Sequence, residues 1–403
     1  MSSTILIVDD DKPQRVATKT TILATCKTVG EHYNIEEAAS VEEALDYFEK
    51  AGALPCLVIV DMLLPRKRSG PDPEFCEYAG YELLRCITAE HPEVWWLVAS
   101  AQRQLNQIIV EDEGRALLAA VTGYSNVIGI WFKTKEADLE QVLEQFLAFE
   151  SQSRSRKGLG QRAQSGSVRE LLDGEIFIAT SSVSLNLYSK ALMLAMGPPS
   201  PVLAIGERGA GKELISRLLH KLVNERLGVK TAGYQKLSGG SVEYNELFGL
   251  LAEIGEGTLY IEDLDKMPKS LQDDLARNLA ELKNYSARVV YGVERHHSAF
   301  TPTLVSDDVY LTSFILPIPS LRDRQDEIIE LSRVFLQLYN AQVKTSKRLV
   351  QEHQVDQALQ ACQWRNNLDD LRLLIEQAAS MTASPAVGLA PIEEAARQRK
   401  LLQ

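Results

Sequence analysis

Short apolar runs recur along the chain, and each ends at once on a residue of definite chemistry. Ile5–Val8 runs into Asp9, Asp10 and Asp11. Leu57–Val60 runs into Asp61, Trp95–Ala99 into Ser100, and Val127–Phe132 into Lys133. Further on, Val202–Ile205 runs into a glycine-rich loop at Gly206. Between these runs lie stretches with helical spacing: Lys12–Thr28, Gly80–Glu90, Ala137–Phe149 and Lys212–Val223. Runs this short read as buried strands, and strands alternating with amphipathic helices predict parallel sheets covered by helices on both faces. Ligands of such sheets sit beyond the carboxyl ends of the strands. The fold class expected is therefore α/β, and the residues after each run are the candidate site residues.

The 403 residues suggest two or three domains at roughly 100–200 residues each. A net charge of −12 gives no global attraction to nucleic acid, so direct DNA binding is not expected. No stretch reaches the ~18 apolar residues of a membrane span, and the N-terminus has no signal-peptide pattern. The five cysteines show no paired metal spacing and read as reduced thiols. A cytoplasmic protein is expected. Residues 1–150 read as one α/β domain, with an irregular loop at Pro65–Tyr78. Residues 151–170, rich in Ser, Arg, Gln and Gly, read as a flexible linker. Residues 171–330 read as a second α/β domain, 331–385 as a helical subdomain without strands, and 386–403 as a solvated basic tail. Of Trp95 and Trp96, alternation places one in the core and turns the other to a partner. His296 and His297 lack ligand-spaced companions and read as exposed loop residues.

In the first domain Asp9, Asp10 and Asp61 should converge on one sheet edge. Carboxylates so placed repel one another, and Mg²⁺ is the natural neutraliser. One carboxylate can then attack phosphorus and become an aspartyl phosphate. Ser100 can donate to a phosphoryl oxygen and Lys133 can neutralise it. Acid, acid, hydroxyl and lysine at successive strand ends resemble the receiver domain of two-component response regulators, a flavodoxin-like doubly wound fold. The resemblance spans residues 4–148. It implies Asp61 as phospho-acceptor, Asp9, Asp10 and Asp61 as metal ligands, Ser100 and Lys133 as catalytic partners, and a sensor histidine kinase as phosphoryl donor. Thr134 stands where that family has proline, and the loop after Pro65 is longer than usual.

In the second domain Gly206, Glu207, Arg208, Gly209, Ala210, Gly211, Lys212 and Glu213 follow a strand and open a helix. Glycines let backbone N–H groups wrap phosphates, and Lys212 can reach the β/γ-phosphates. Glu213 stands where phosphate-binding loops place a Ser or Thr ligand to Mg²⁺. This loop, with Glu246–Gly249, Gly257–Asp263, Pro319–Arg324, Glu327-Ile328 and Trp364–Leu371, resembles in order the AAA+ domain of bacterial enhancer-binding proteins, the sigma-54 activators. The resemblance covers about residues 175–385 and implies a P-loop α/β domain with a helical lid, binding ATP with Mg²⁺.

The same resemblance shows eroded machinery. The family's acidic pair, Asp then Glu, is Glu262 then Asp263 here. Its polar sensor aligns to Glu294, its arginine fingers to Leu304 and Tyr310, and its lid arginine to Asp369. The loop that grips sigma-54 would fall within Gly249–Glu256, which is too short for it, and no helix-turn-helix follows the lid. A missing arginine finger costs on the order of a thousandfold in rate. The expected function is a response regulator in which phosphoryl acceptance at Asp61 controls an ATP-binding, hydrolysis-poor AAA+ module. That module would signal through a downstream protein or the transcription machinery, as a homo-oligomer. The alternatives are an active Mg²⁺-dependent AAA+ ATPase that remodels a partner, and a sigma-54-type activator without its own DNA-binding domain.

Overall fold

The computed structural model describes residues 3–402 apart from 51, 63, 66–74, 77–78, 92, 101–120, 122–123, 125, 134–135, 156–166, 173, 198, 229–232, 282–286 and 296–304. The loop after Pro65, Thr134, most of the linker, Leu304, His296 and His297 thus lie largely or wholly outside the described residues. The side chain of Tyr310 does so too. The chain divides into two compact units, Met1–Gly160 with Leu192–Pro198, and Gln161–Ala191 with Pro199–Gln403.

In the first unit the strands are β1 (Thr4–Val8), β2 (Asn34–Ala38), β3 (Leu57–Asp61), a short antiparallel pair β4 (Leu64–Pro65) and β5 (Phe75–Cys76), then β6 (Trp95–Ser100) and β7 (Val127–Phe132). Five of them form a parallel sheet in the order β2-β1-β3-β6-β7. Helices Lys12–Val29, Val41–Lys50, Ala79–Glu90 and Glu136–Ser155 connect and follow them. Alternate residues Leu6, Val8, Val58, Val60, Trp96 and Val98 join one buried cluster. Strand β2 carries the sequence NIEEA on a sheet edge, mostly solvent-facing, so it lacks the apolar run that marks its neighbours. The expectation for the tryptophans holds for Trp96, which is fully buried. Trp95 differs: its ring packs edge-on against Phe149 at 6.0 Å, so its apolar surface is used within this unit.

The second unit opens with an antiparallel hairpin, β8 (Val168–Leu172) and β9 (Glu175–Ala179), where a linker was expected to end. Its burial alternates at Val168, Glu170 and Leu172, so the polar composition of the segment hides a one-faced strand. Strands β10 (Val202–Gly206), β11 (Tyr234–Ser238), β12 (Thr258–Glu262), β13 (Arg288–Glu294) and β14 (Phe314–Pro317) form a parallel sheet in the order β11-β12-β13-β10-β14. The helical subdomain contains helices Ile328–Val343, His353–Gln360, Asn367–Met381 and Leu389–Gln398.

Two expectations are corrected here. A parallel pair, β15 (Arg348–Leu349) and β16 (Ala386–Val387), lies inside the segment read as strandless and at the start of the segment read as a tail. Residues 386–403 are also not a solvated tail: Val387, Ile392, Ala395, Ala396 and Leu401 join the lid core with Leu371, Leu374 and Ile375. Arg397 lies on the outer face of an amphipathic helix, where it pairs with Glu393 at 3.1 Å, and Arg399 and Lys400 follow the end of that helix.

Candidate functional sites

At the end of β1, the Asp9 carboxylate is buried and accepts from the Asp11 N–H at 2.9 Å, which turns the chain into the following helix. Arg15 in that helix donates to the Asp9 carbonyl and pairs with Glu37 at 3.5 Å. Asp61 ends β3 and is also buried. Gly80, at the start of helix Ala79–Glu90, explains how Asp61 is held. Its N–H donates to the Met62 carbonyl, and a Cβ on Gly80 would lie 1.9 Å from the Asp61 carbonyl oxygen. Sequence inspection places Gly80 only as a helix start.

Lys133, just beyond β7, reaches both acids: its Nζ lies 2.7 Å from Asp9 Oδ2 and 2.6 Å from Asp61 Oδ2. Burial opposes the ammonium, but Asp61 and Asp9 outweigh it and hold the Lys133 pKa above the usual lysine value. Carboxylate oxygens of Asp9, Asp10 and Asp61 converge within 4.8 Å, the one such group of acids, cysteines or histidines among the described residues. Burial raises the Asp10 carboxyl pKa, and Asp9 adds to the rise. A hard divalent cation fits this oxygen set. Ser100 ends β6 with its hydroxyl buried and, among the described residues, without a hydrogen-bond partner. A buried orphan hydroxyl is costly unless a ligand completes it. The five residues foreseen at four strand ends therefore share one sheet edge. Along it Lys133 bridges two of the acids, and Ser100 ends β6, the strand between β3 and β7.

The second site is the loop from Gly206 to Glu213, between β10 and helix Lys212–Leu227. Gly209 and Gly211 adopt φ of +67° and +106°, which favour glycine. Lys212 Nζ donates to the carbonyls of Gly206 and Glu207, each at 3.0 Å. Burial pushes the Lys212 pKa down, while Glu294, Asp263, Asp265 and Glu262 act in the opposite direction.

The lid straps this loop from above. The Leu368 N–H donates to the Gly209 carbonyl at 3.0 Å. Asn367, fully buried, donates to the Arg208 carbonyl at 2.8 Å and to Glu207 Oε2 at 3.1 Å, and accepts from the Leu321 N–H at 2.7 Å. Arg324 donates to the Ala210 carbonyl at 2.8 Å, and Arg322 pairs with Glu207 at 2.5 Å. None of the straps to the loop is visible from sequence spacing, because each of those bonds spans more than a hundred residues.

Glu213 and Glu262 face each other across Lys236, whose Nζ lies 2.7 Å from the first and 2.9 Å from the second. An ammonium thus holds the position between these two acids, and Asp263 is paired with Lys266. Ammonium groups bridge acids at both sites, Lys133 in the first and Lys236 in the second, but among the described residues only the first gathers three acids within 4.8 Å.

Fold and sites together define a class: a phospho-acceptor-type α/β domain followed by a P-loop AAA+ module with its lid. Residues 178–319 match the family of sigma-54 interaction domains, and residues 322–402 match the AAA+ ATPase lid domain. The chain is 26% identical over 404 residues to the nitrogen assimilation regulatory protein NtrX of Azorhizobium caulinodans, covering 94% of this chain and 80% of that protein. It is 24% identical to the DNA-binding transcriptional regulator NtrC of Azospirillum brasilense, covering 97% and 79%. It is 26% identical to the regulatory protein AtoC of Escherichia coli, covering 52% and 51%. A crystal structure of NtrX from Brucella abortus aligns over 99% of this chain and 86% of that one, with 19% identity and a TM-score of 0.45. Residues 178–402 thus carry a sigma-54 interaction domain with its AAA+ lid, and the chain as a whole is similar to response regulators of the enhancer-binding type. No helix among the described residues is long and apolar enough to cross a membrane.

Proposed function

We propose that the chain is a two-component response regulator in which a histidine kinase, or a small phosphoryl donor, phosphorylates Asp61. The new phosphoryl group then controls an AAA+ module that binds nucleotide, hydrolyses it poorly, and signals through protein contacts toward the transcription machinery. The observation that carries the first half is Lys133 bridging Asp9 and Asp61 beside the orphan Ser100 hydroxyl. Attack by an Asp61 oxygen on phosphorus forms the acyl phosphate and releases the donor's leaving group. A Mg²⁺ held by Asp9, Asp10 and Asp61 would neutralise charge in that step. Lys133 and the Ser100 hydroxyl are placed to hold the transferred oxygens. A phosphoryl group adds about −1.5 to −2 charge and three acceptors, enough to reorganise the surrounding loops.

The observation that supports poor hydrolysis is the displaced acidic pair. Glu262 is engaged by Lys236 and Asp263 by Lys266, so neither is free to orient water. The test is turnover of ATP by the full chain and by Lys212→Ala, each with and without acetyl phosphate. The reading expects the two proteins to be indistinguishable in rate. Turnover well above that of Lys212→Ala, in either state, would overturn it in favour of a working ATPase.

A further inference from the structure

The acids around the phosphate-binding loop carry an inference about which nucleotide the loop holds, and it rests on the nucleotide-binding reading above. Glu294 ends β13 in register with Gly206, the last residue of β10 before the loop, and it is the strongest of the acids acting on Lys212. At the loop tip, Asp369 Oδ2 lies 2.8 Å from where a Cβ on Gly209 would stand. Among the described residues neither Glu294 nor Asp369 makes an ion pair. Of the other acids near Lys212, Glu262 is held by Lys236 and Asp263 by Lys266, while Asp265 makes no ion pair among the described residues. Glu294 at the root of the loop and Asp369 at its tip therefore flank it without a salt bridge, with Arg208 of the loop the strongest cation acting on Asp369. The cation between them, Lys212, is already engaged by two loop carbonyls.

A diphosphate can use the loop's backbone N–H groups and the N-terminus of helix Lys212–Leu227. A third phosphoryl group must extend past Lys212 into the field of Glu294 and Asp369, where like charges repel. The divalent cation that would screen that repulsion meets Lys236 between Glu213 and Glu262. We propose that the loop is selective for nucleoside diphosphates over triphosphates, with Glu294 and Asp369 as the specificity-determining residues.

Equilibrium titration of the full chain with ADP and with ATP, by calorimetry in the presence of Mg²⁺, tests this. The proposal expects ADP to bind at least about tenfold more tightly than ATP. It expects the double variant Glu294→Gln, Asp369→Asn to raise ATP affinity more than ADP affinity and to bring the two within about threefold. Asp369→Arg should favour ATP further. Equal or tighter ATP binding by the unaltered protein would overturn the proposal, as would a double variant with an unchanged ratio. Binding of neither nucleotide by the folded chain would overturn the nucleotide-binding reading itself and the proposal with it.

Discussion

The amide of Leu368 donates to the carbonyl of Gly209 at 3.0 Å, tying the first turn of a lid helix to the tip of the phosphate-binding loop. The residue before it, Asn367, sits in the left-handed region at φ +49° and spends all three of its side-chain hydrogen bonds on the same junction. Asn367→Ala strands the Leu321 N–H in a buried place and strains a non-glycine backbone. The expected loss is about 2–4 kcal/mol of stability. Urea unfolding of the second unit within the full chain measures it. A change below ~0.5 kcal/mol would show that the strap is not a structural joint.

Glu327 is the second joint of the lid. It is fully buried and accepts from the Thr180 and Ser181 N–H groups at 2.8 and 2.9 Å, and from the Ser181 and Ser184 hydroxyls. It caps helix Ser182–Met196 from outside that helix. Glu327→Ala leaves four donors without this acceptor and the buried Arg324 without its counter-charge, so the expected cost is about 3–5 kcal/mol. Glu327→Gln keeps the shape but loses charge-assisted bonds, so thermal unfolding should place it between the two.

Gly80→Ala tests how Asp61 is positioned. The added Cβ would meet backbone on a buried strand, so helix Ala79–Glu90 must shift. We expect a loss of about 1–3 kcal/mol in stability. Phosphorylation by acetyl phosphate should slow by about tenfold or more, because an error near 1 Å in a reacting group is costly. Unchanged phosphorylation kinetics would remove Gly80 from the account.

The Lys133 pair gives a pH dependence of known sign. The folded-state pKa of Lys133 lies above the ordinary lysine value, so its stabilising contribution is fully present below about pH 10.4. That contribution is lost as pH rises through the folded-state value. Lys133→Met should cost about 3–5 kcal/mol at neutral pH, because it leaves Asp9 and Asp61 buried without a counter-charge. The difference between the two proteins should narrow as pH rises above that range. Denaturant melts at pH 7 and pH 11 compare them, and a difference that widens would contradict the assignment.

Much of the first site was legible in the sequence. Asp9, Asp61, Ser100 and Lys133 each follow an apolar run, and a parallel sheet brings such positions to one edge. Of the strands in the two parallel sheets, β2, β11 and β14 were missed: all lie on sheet edges, β2 and β11 carry Glu, Gln and Lys that weaken their burial pattern, and β14 is only four residues long. The closing segment was misread for a related reason. Its helix is amphipathic, and its basic face is more conspicuous than its buried Ile392, Ala395 and Ala396. Gly80, Lys236 and Asn367 escaped notice because their roles exist only across tertiary contacts. Asn367 reads as an ordinary polar residue until Glu207 and Arg208, some 160 and 159 positions away, are seen beside it.

Phosphoryl acceptance at Asp61 is the point on which the functional account turns, and mass spectrometry addresses it directly. The full chain is incubated with acetyl phosphate and Mg²⁺, then compared with Asp61→Asn by intact mass and by mapping of the peptide containing Asp61. The account predicts one added phosphoryl group on the unaltered chain, dependent on Mg²⁺, located at Asp61 and absent from the variant. A chain that takes up no phosphoryl group, or a variant that takes it up equally well, would contradict it.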